Sequence, residues 1–201
     1  MFALVESGSI TKMLNGNRGI TIDGIQHPRA IYTLWTEAER NALGIYTVEY
    51  DNSNKKDEKW YINTNQSYAF GSGKVTATYG TATAKAHADA NFTAQDETDG
   101  KGTEGELKSR GLKYKLIQDV KLEAANELAK TDWYVVRKSE ESTAIPSAIT
   151  THRRAVRSKQ AAMETAITNA SDTPALETLY TYTTDSDGVH SRPLAEIPTL
   201  E

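Results

Sequence analysis

The sequence predicts an α+β protein. A small antiparallel β-rich N-terminal domain is followed by a polar linker, then by a C-terminal helical hairpin with an extended tail. Three observations carry this reading. Short segments of alternating polarity, separated by Gly, Asn and Asp turns, fill residues 1–82. From 83 to 102 large apolar residues almost vanish and Ala, Thr, Asp and Gly take over. Beyond 103 the apolar residues recur at helical spacing until about 182, and residues 183–201 then turn polar and Pro-containing.

In the first module Phe2-Ala3-Leu4-Val5 and Ser9–Leu14 flank Ser7-Gly8, the mark of an opening hairpin. Asn15-Gly16-Asn17 is the next turn, because Gly and Asn tolerate positive φ. Asp23-Gly24 between Gly19–Ile22 and Ile25–His27 is a strong two-residue hairpin signal. Thr36 with Glu39 three residues on reads as a capping box opening a short helix. Tyr46, Val48 and Tyr50 alternate with Thr47 and Glu49 as a strand with two distinct faces. Asp51–Glu58 is too polar to pack and is expected as a solvated loop. Lys59–Ile62, Gln66–Phe70 and Lys74–Ala82 complete the strands, with turns at Asn63-Thr64-Asn65 and Gly71-Ser72-Gly73.

Residues 83–102 hold too little apolar area to offset their ordering entropy, so a flexible linker is expected there. In the second module Leu107, Leu112, Leu116, Ile117, Val120, Ala124 and Leu128 form one apolar stripe, opened by Thr103 with Glu106. Gly111 inside that run marks a kink or the start of the stable helix. Pro146 suits a first helical turn, and Ile149, Val156, Met163 and Ala170 then repeat every seven residues as a packing seam. Thr173-Pro174 opens a third, shorter helix.

Composition excludes several classes. The 201 residues contain no Cys, so disulfide frameworks, zinc–cysteine sites and thiol nucleophiles drop out. Met1 runs into Phe2–Val5 without a basic leader region, so no secretory signal is expected, and no segment approaches the ~20 apolar residues of a membrane span. The net charge of −4 is spread without long runs, and residues 171–201 carry one basic and six acidic groups. Arg153, Arg154, Arg157 and Lys159 are too small a cluster for a nucleic-acid face. The four histidines lie apart, none at ligand spacing. Gly71-Ser72-Gly73 is not a nucleophile elbow, and Gly100-Lys101-Gly102 is not a phosphate loop. No catalytic residue, metal ligand or cofactor site is therefore assigned, and a non-enzymatic protein is expected.

The second module carries the sequence LAKTDWYVVRKSEESTAIPSAITTHRRAVRSKQAAMETAI: a helix ending before TDW, an I-P step, then a helix with basic residues. This order resembles the C-terminal half of phage tail-fibre assembly and tail-assembly chaperone proteins. The phrase IDGIQHPRAIYTLWTEAERNALGIYTVEY resembles the N-terminal half of tail-fibre assembly proteins. Together the two phrases cover about two thirds of the chain; the polar stretch 83–102 and the acidic tail depart from the pattern.

The resemblance implies a partner among phage tail-fibre or baseplate proteins, in an oligomeric assembly. It places the protein in the host cytoplasm during assembly or in the virion tail, as chaperone or as a retained part. Candidate partner-binding residues are Tyr134 and Arg137 after the TDW turn, Arg153 and Arg157 on the basic helix, and Leu194 and Ile197 in the tail. Trp133 is expected to close the hairpin core instead. The alternative is a receptor-binding module in which Trp60, Tyr61 and Tyr68 stack on host sugars.

Overall fold

The computed structural model describes residues 1–64 and 66–200; Asn65, which the sequence places in a turn, and Glu201 lie outside the described residues. The chain is mixed α+β and divides into two compact units, Met1–Thr83 and Ala84–Glu201.

In the first unit β1 (Phe2–Glu6), β2 (Ser9–Leu14) and β3 (Ile20–Ile22) with β4 (Ile25–His27) precede two short helices, α1 (Ile31–Leu34) and α2 (Glu37–Ala42). Then come β5 (Ile45–Asp51), β6 (Tyr61–Ile62), β7 (Gln66–Gly71) and β8 (Lys74–Tyr79). Three hairpins turn through residue pairs with both φ values positive: Ser7/Gly8, Asp23/Gly24 and Ser72/Gly73. This mirror-image turn matches the right-handed twist of the strands it joins. The capping box at α2 is complete: Thr36 Oγ1 accepts the Glu39 N–H at 3.3 Å, and the Glu39 carboxylate accepts the Thr36 N–H at 2.7 Å.

The main sheet has the order β2-β1-β5-β8-β7. It departs from the expected antiparallel pattern at one place, where β5 and β8 run parallel with Val48 opposite Val75. A parallel pair needs a connection of about a dozen residues or more, and the segment between β5 and β8 supplies it. The edge strands β2 and β7 approach each other, so the sheet curls.

Alternation then explains both cores. Leu4 packs on one face of β1 with Leu14, Ile20, Ile31, Tyr32 and Ile45, under α1 and the β3–β4 hairpin. Ala3 and Val5 point the other way, into the curl, with Val48, Val75 and Ala77. Ala and Val fill its buried interior, and Ile10, Tyr46, Tyr68 and Phe70 pack against them, partly buried. Trp60 and Tyr61 are buried, 3% and 4% exposed. The strand β9 (Thr83–Ala84), paired with β6, is where the chain passes from one unit to the next.

The stretch expected as a polar linker is structured. It contains β10 (Ala90–Asn91) and α3 (Ala94–Thr98), and β11 (Leu107–Ser109) pairs back onto β10. Side-chain hydrogen bonds order it where apolar area is lacking. Thr93 and Asp96 form a reciprocal capping box, and Lys108 donates to both Asp96 oxygens at 2.8 and 2.9 Å. Asp89 accepts from the Gly111 N–H at 2.8 Å and pairs with Arg110. The T-x-x-E at Thr103 forms a turn, not a helix start.

The long helix α4 (Leu112–Ala129) begins only after Gly111, its N-cap. Gly111 is there for space and not for a kink. A Cβ would sit 2.3 Å from the Ala88 carbonyl, because the 86–89 backbone crosses directly over it and bonds the first N–H groups of α4.

The connection after α4 is itself a helix, α5 (Asp132–Glu141), ended by Ser142 in the left-handed region. Then follow α6 (Ser147–Asn169) and α7 (Thr173–Tyr180). The heptad seam holds: Ile149, Val156, Met163 and Ala170 are all buried, against Leu116, Val120 and Ala124 of α4.

The tail, expected to be extended over 183–201, folds back within its described residues 183–200. A small hairpin of β12 (Thr183–Thr184) and β13 (His190–Ser191) precedes Leu194 and Ile197, which are 1% and 7% exposed. The Leu194 N–H donates to the Leu179 carbonyl at 2.9 Å, and the Leu200 N–H to Glu127 at 2.9 Å.

Two outcomes are expected. Gly111→Ala should cost about 2 kcal/mol or more in urea unfolding through overpacking. Gly71→Ala, whose Cβ meets nothing, should stay within about 0.5 kcal/mol. Second, Lys108 and then the Thr93 N–H hold the Asp96 carboxyl down to about 2. That is below its unfolded value of about 3.9. The stabilisation is therefore complete above pH ~4 and is lost as pH falls towards 2. The urea midpoint measured across that window should drop, and Asp96→Asn should flatten the drop.

Candidate interaction site

Two polar clamps set the geometry of the helical unit. At one end Arg153, near the start of α6, reaches the C-terminus of α4. Its Nη1 donates to the Leu128 carbonyl at 2.8 Å and to Thr131 Oγ1 at 2.7 Å, while Nη2 pairs with Asp132 at 2.8 Å. Thr131 Oγ1 donates in turn to the Leu128 carbonyl. At the other end Lys113, at the start of α4, donates to the Thr168 carbonyl in the last turn of α6 at 2.8 Å. Each helix of the antiparallel pair thus sends a cation to a carbonyl in the other's last turn, where the helix dipole favours positive charge.

Beside the first clamp sits a buried carboxylate. Glu127 is 5% exposed and accepts from Lys130, His152 and the Leu200 backbone N–H. The Lys130 hydrogen bond, then the Leu200 N–H, hold its pKa below the ordinary carboxylate range. Glu127 ties α4, α6 and the tail together. Only Lys130 is a neighbour in sequence; the partners that make it a tie, His152 and Leu200, lie 25 and 73 residues away.

The clamp places α5. Asp132 is gripped at the first residue of the helix, and none of the ten α5 residues is buried. Trp133 was expected inside the hairpin core; it is 51% exposed, with Val135 at 42% and Val136 at 52%. The Trp133 and Tyr134 rings lie 3.8 Å apart between centroids. The Arg137 guanidinium covers both, 4.7 Å from Trp133 and 5.4 Å from Tyr134. Large apolar side chains gathered on the surface mark interaction sites, and Trp, Tyr and Arg dominate binding energy at interfaces.

The candidate residues therefore separate. Tyr134 and Arg137 belong to the α5 surface, and Trp133, Val135 and Val136 join them. Arg153 is a correction: 8% exposed and fully engaged in the clamp, it holds the fold and is not presented to a partner. Leu194 and Ile197 are corrections of the same kind, because the tail that carries them is packed on its own helices. Arg157 is exposed on α6, at the mouth of an open groove of about 640 Å³ along that helix. The residues lining that groove all belong to α6.

No group of three His, Cys, Asp or Glu residues suited to a metal is found among the described residues. No helix among them is long and apolar enough to cross a membrane. Comparison with family models, with characterised proteins and with solved structures found no match to this chain.

Arg153→Ala should destabilise the protein by about 2–3 kcal/mol in thermal or chemical unfolding, since it leaves the Leu128 carbonyl and Asp132 without their cation. Arg157→Ala should change stability by less than about 0.5 kcal/mol.

Proposed function

We propose that this is a non-enzymatic phage tail protein that binds a tail-fibre or baseplate component through α5. It acts as an assembly chaperone in the host cytoplasm, as a structural part of the tail, or as both. The observation that carries the reading is a ten-residue helix with no buried residue and three large apolar side chains in solvent. Such a helix gains little from its own fold. Covering it with a partner would remove that apolar area from water.

The resemblance of the TDW…IP…HRR order to tail-assembly chaperones supplies the class of partner. The clamp gives that order a physical reason, because Thr131, Asp132 and Arg153 of the motif are bonded to one another. The competing sugar-binding reading required Trp60, Tyr61 and Tyr68 exposed in one patch; Tyr68 is half-buried, and Trp60 and Tyr61 are buried. Their burial favours the protein-binding reading at that patch.

Co-expression with the adjacent tail-fibre protein should yield a stable complex, measured by pull-down and by titration calorimetry. Trp133→Ser with Val136→Ser removes two exposed side chains, so folding should survive. Affinity should fall at least about thirtyfold. Wild-type affinity in the double variant would overturn the assignment of α5.

A further inference from the structure

The β2–β3 connection of the first unit encloses a second, chemically different feature. A pocket of about 230 Å³ is lined by Lys12, Asn15, Gly16, Asn17, Arg18 and Tyr32, among others, and no carboxylate contributes to its wall. Its volume is below the ~300–1,000 Å³ of drug-sized sites, so its occupant is small.

Neither Lys12 nor Arg18 has an ion pair or hydrogen-bond partner among the described residues, and the side chains of Asn15 and Asn17 are likewise unengaged there. The backbone N–H groups from Asn15 to Arg18 take part in none of the turn hydrogen bonds found among those residues. The wall is thus rich in donors and carries two uncompensated positive charges.

Its floor is rigid. The Tyr32 ring packs on Phe2 at 5.0 Å between centroids, and Gly16, at φ +68°, lies against both rings. A Cβ at Gly16 would stand 3.1 Å from Phe2, so the loop backbone comes as close to the floor as a glycine permits. Successive free N–H groups beside positive-φ glycine form concavities that suit anions.

We propose that this pocket binds one small anionic group, a carboxylate or a phosphate, on a ligand no larger than a single acidic sugar residue. Lys12 and Arg18 supply the charge. The loop amides supply the hydrogen bonds, and Tyr32, backed by Phe2, forms the apolar base. The pocket lies in the first unit, away in sequence from α5, and the proposal does not depend on the partner assigned to that helix.

The test is an amide chemical-shift titration of the full chain with glucuronate, with inorganic phosphate and with neutral glucose, at fixed ionic strength. Saturable shifts at residues 15–19 with glucuronate alone would identify an acidic sugar. The same shifts with phosphate alone would identify a phosphate group, and shifts with both would identify the anion itself. Lys12→Gln with Arg18→Gln changes two exposed side chains and should keep the spectrum folded. It should weaken the binding by about tenfold or more. No saturable shift with either anion, an equal response to glucose, or unchanged titration of the double variant would overturn the proposal.

Discussion

The guanidinium of Arg153 organises the second unit. It enters the junction between α4 and α5 and adds a charged donor to the Leu128 carbonyl, which also accepts from Thr131 in the last turn. Its second nitrogen grips Asp132, so the direction in which α5 leaves the pair is set by an ion pair and not by a core. With Lys113 doing the equivalent service at the far end of α6, the antiparallel helices are locked in register along their full contact. The heptad seam alone would tolerate sliding by a turn; cations fixed on particular carbonyls would not.

That register has consequences for everything attached to the helices. It brings His152 opposite Glu127, and the charged Glu127 in turn receives the Leu200 N–H and anchors the tail. Arg192 lies over the Tyr180 and Tyr182 rings at 5.4 and 5.2 Å, so the tail is held by charge and aromatic contact as well as by Leu194 and Ile197. Leu194 and Ile197 are already used in the fold, while Val189 and Leu200 stay in solvent. Three exposed apolar side chains, Trp133, Val135 and Val136, gather within one turn of α5, and the proposed interaction rests there.

The first unit works by a different economy. Its sheet is covered on one face by small helices and a hairpin, and closes on itself on the other. Trp60 and Tyr61, at β6 outside that sheet, are buried as well. What remains open is the donor-rich β2–β3 loop. One chain therefore carries an apolar helical surface suited to protein and, in a separate unit, a small cationic pocket.

Local chemistry was legible in the residues themselves. The mirror-image turns at Ser7-Gly8 and Asp23-Gly24, the capping box at Thr36 and Glu39, and the seven-residue seam of α6 depend only on neighbours within a few positions. The α+β class followed from them. Long-range bonding was not legible. Residues 83–102 look like a linker because their order comes from hydrogen bonds such as Asp89 to Gly111 and Lys108 to Asp96, which composition does not encode. Trp133 looks like core, and Arg153 and Leu194 look like surface, for a related reason. Burial is decided by which helix ends meet, and side chains a few residues apart on the chain can be sent to opposite sides of that meeting. Only the tertiary structure, by placing one guanidinium at the junction of two helices, decided which residues were left facing the solvent.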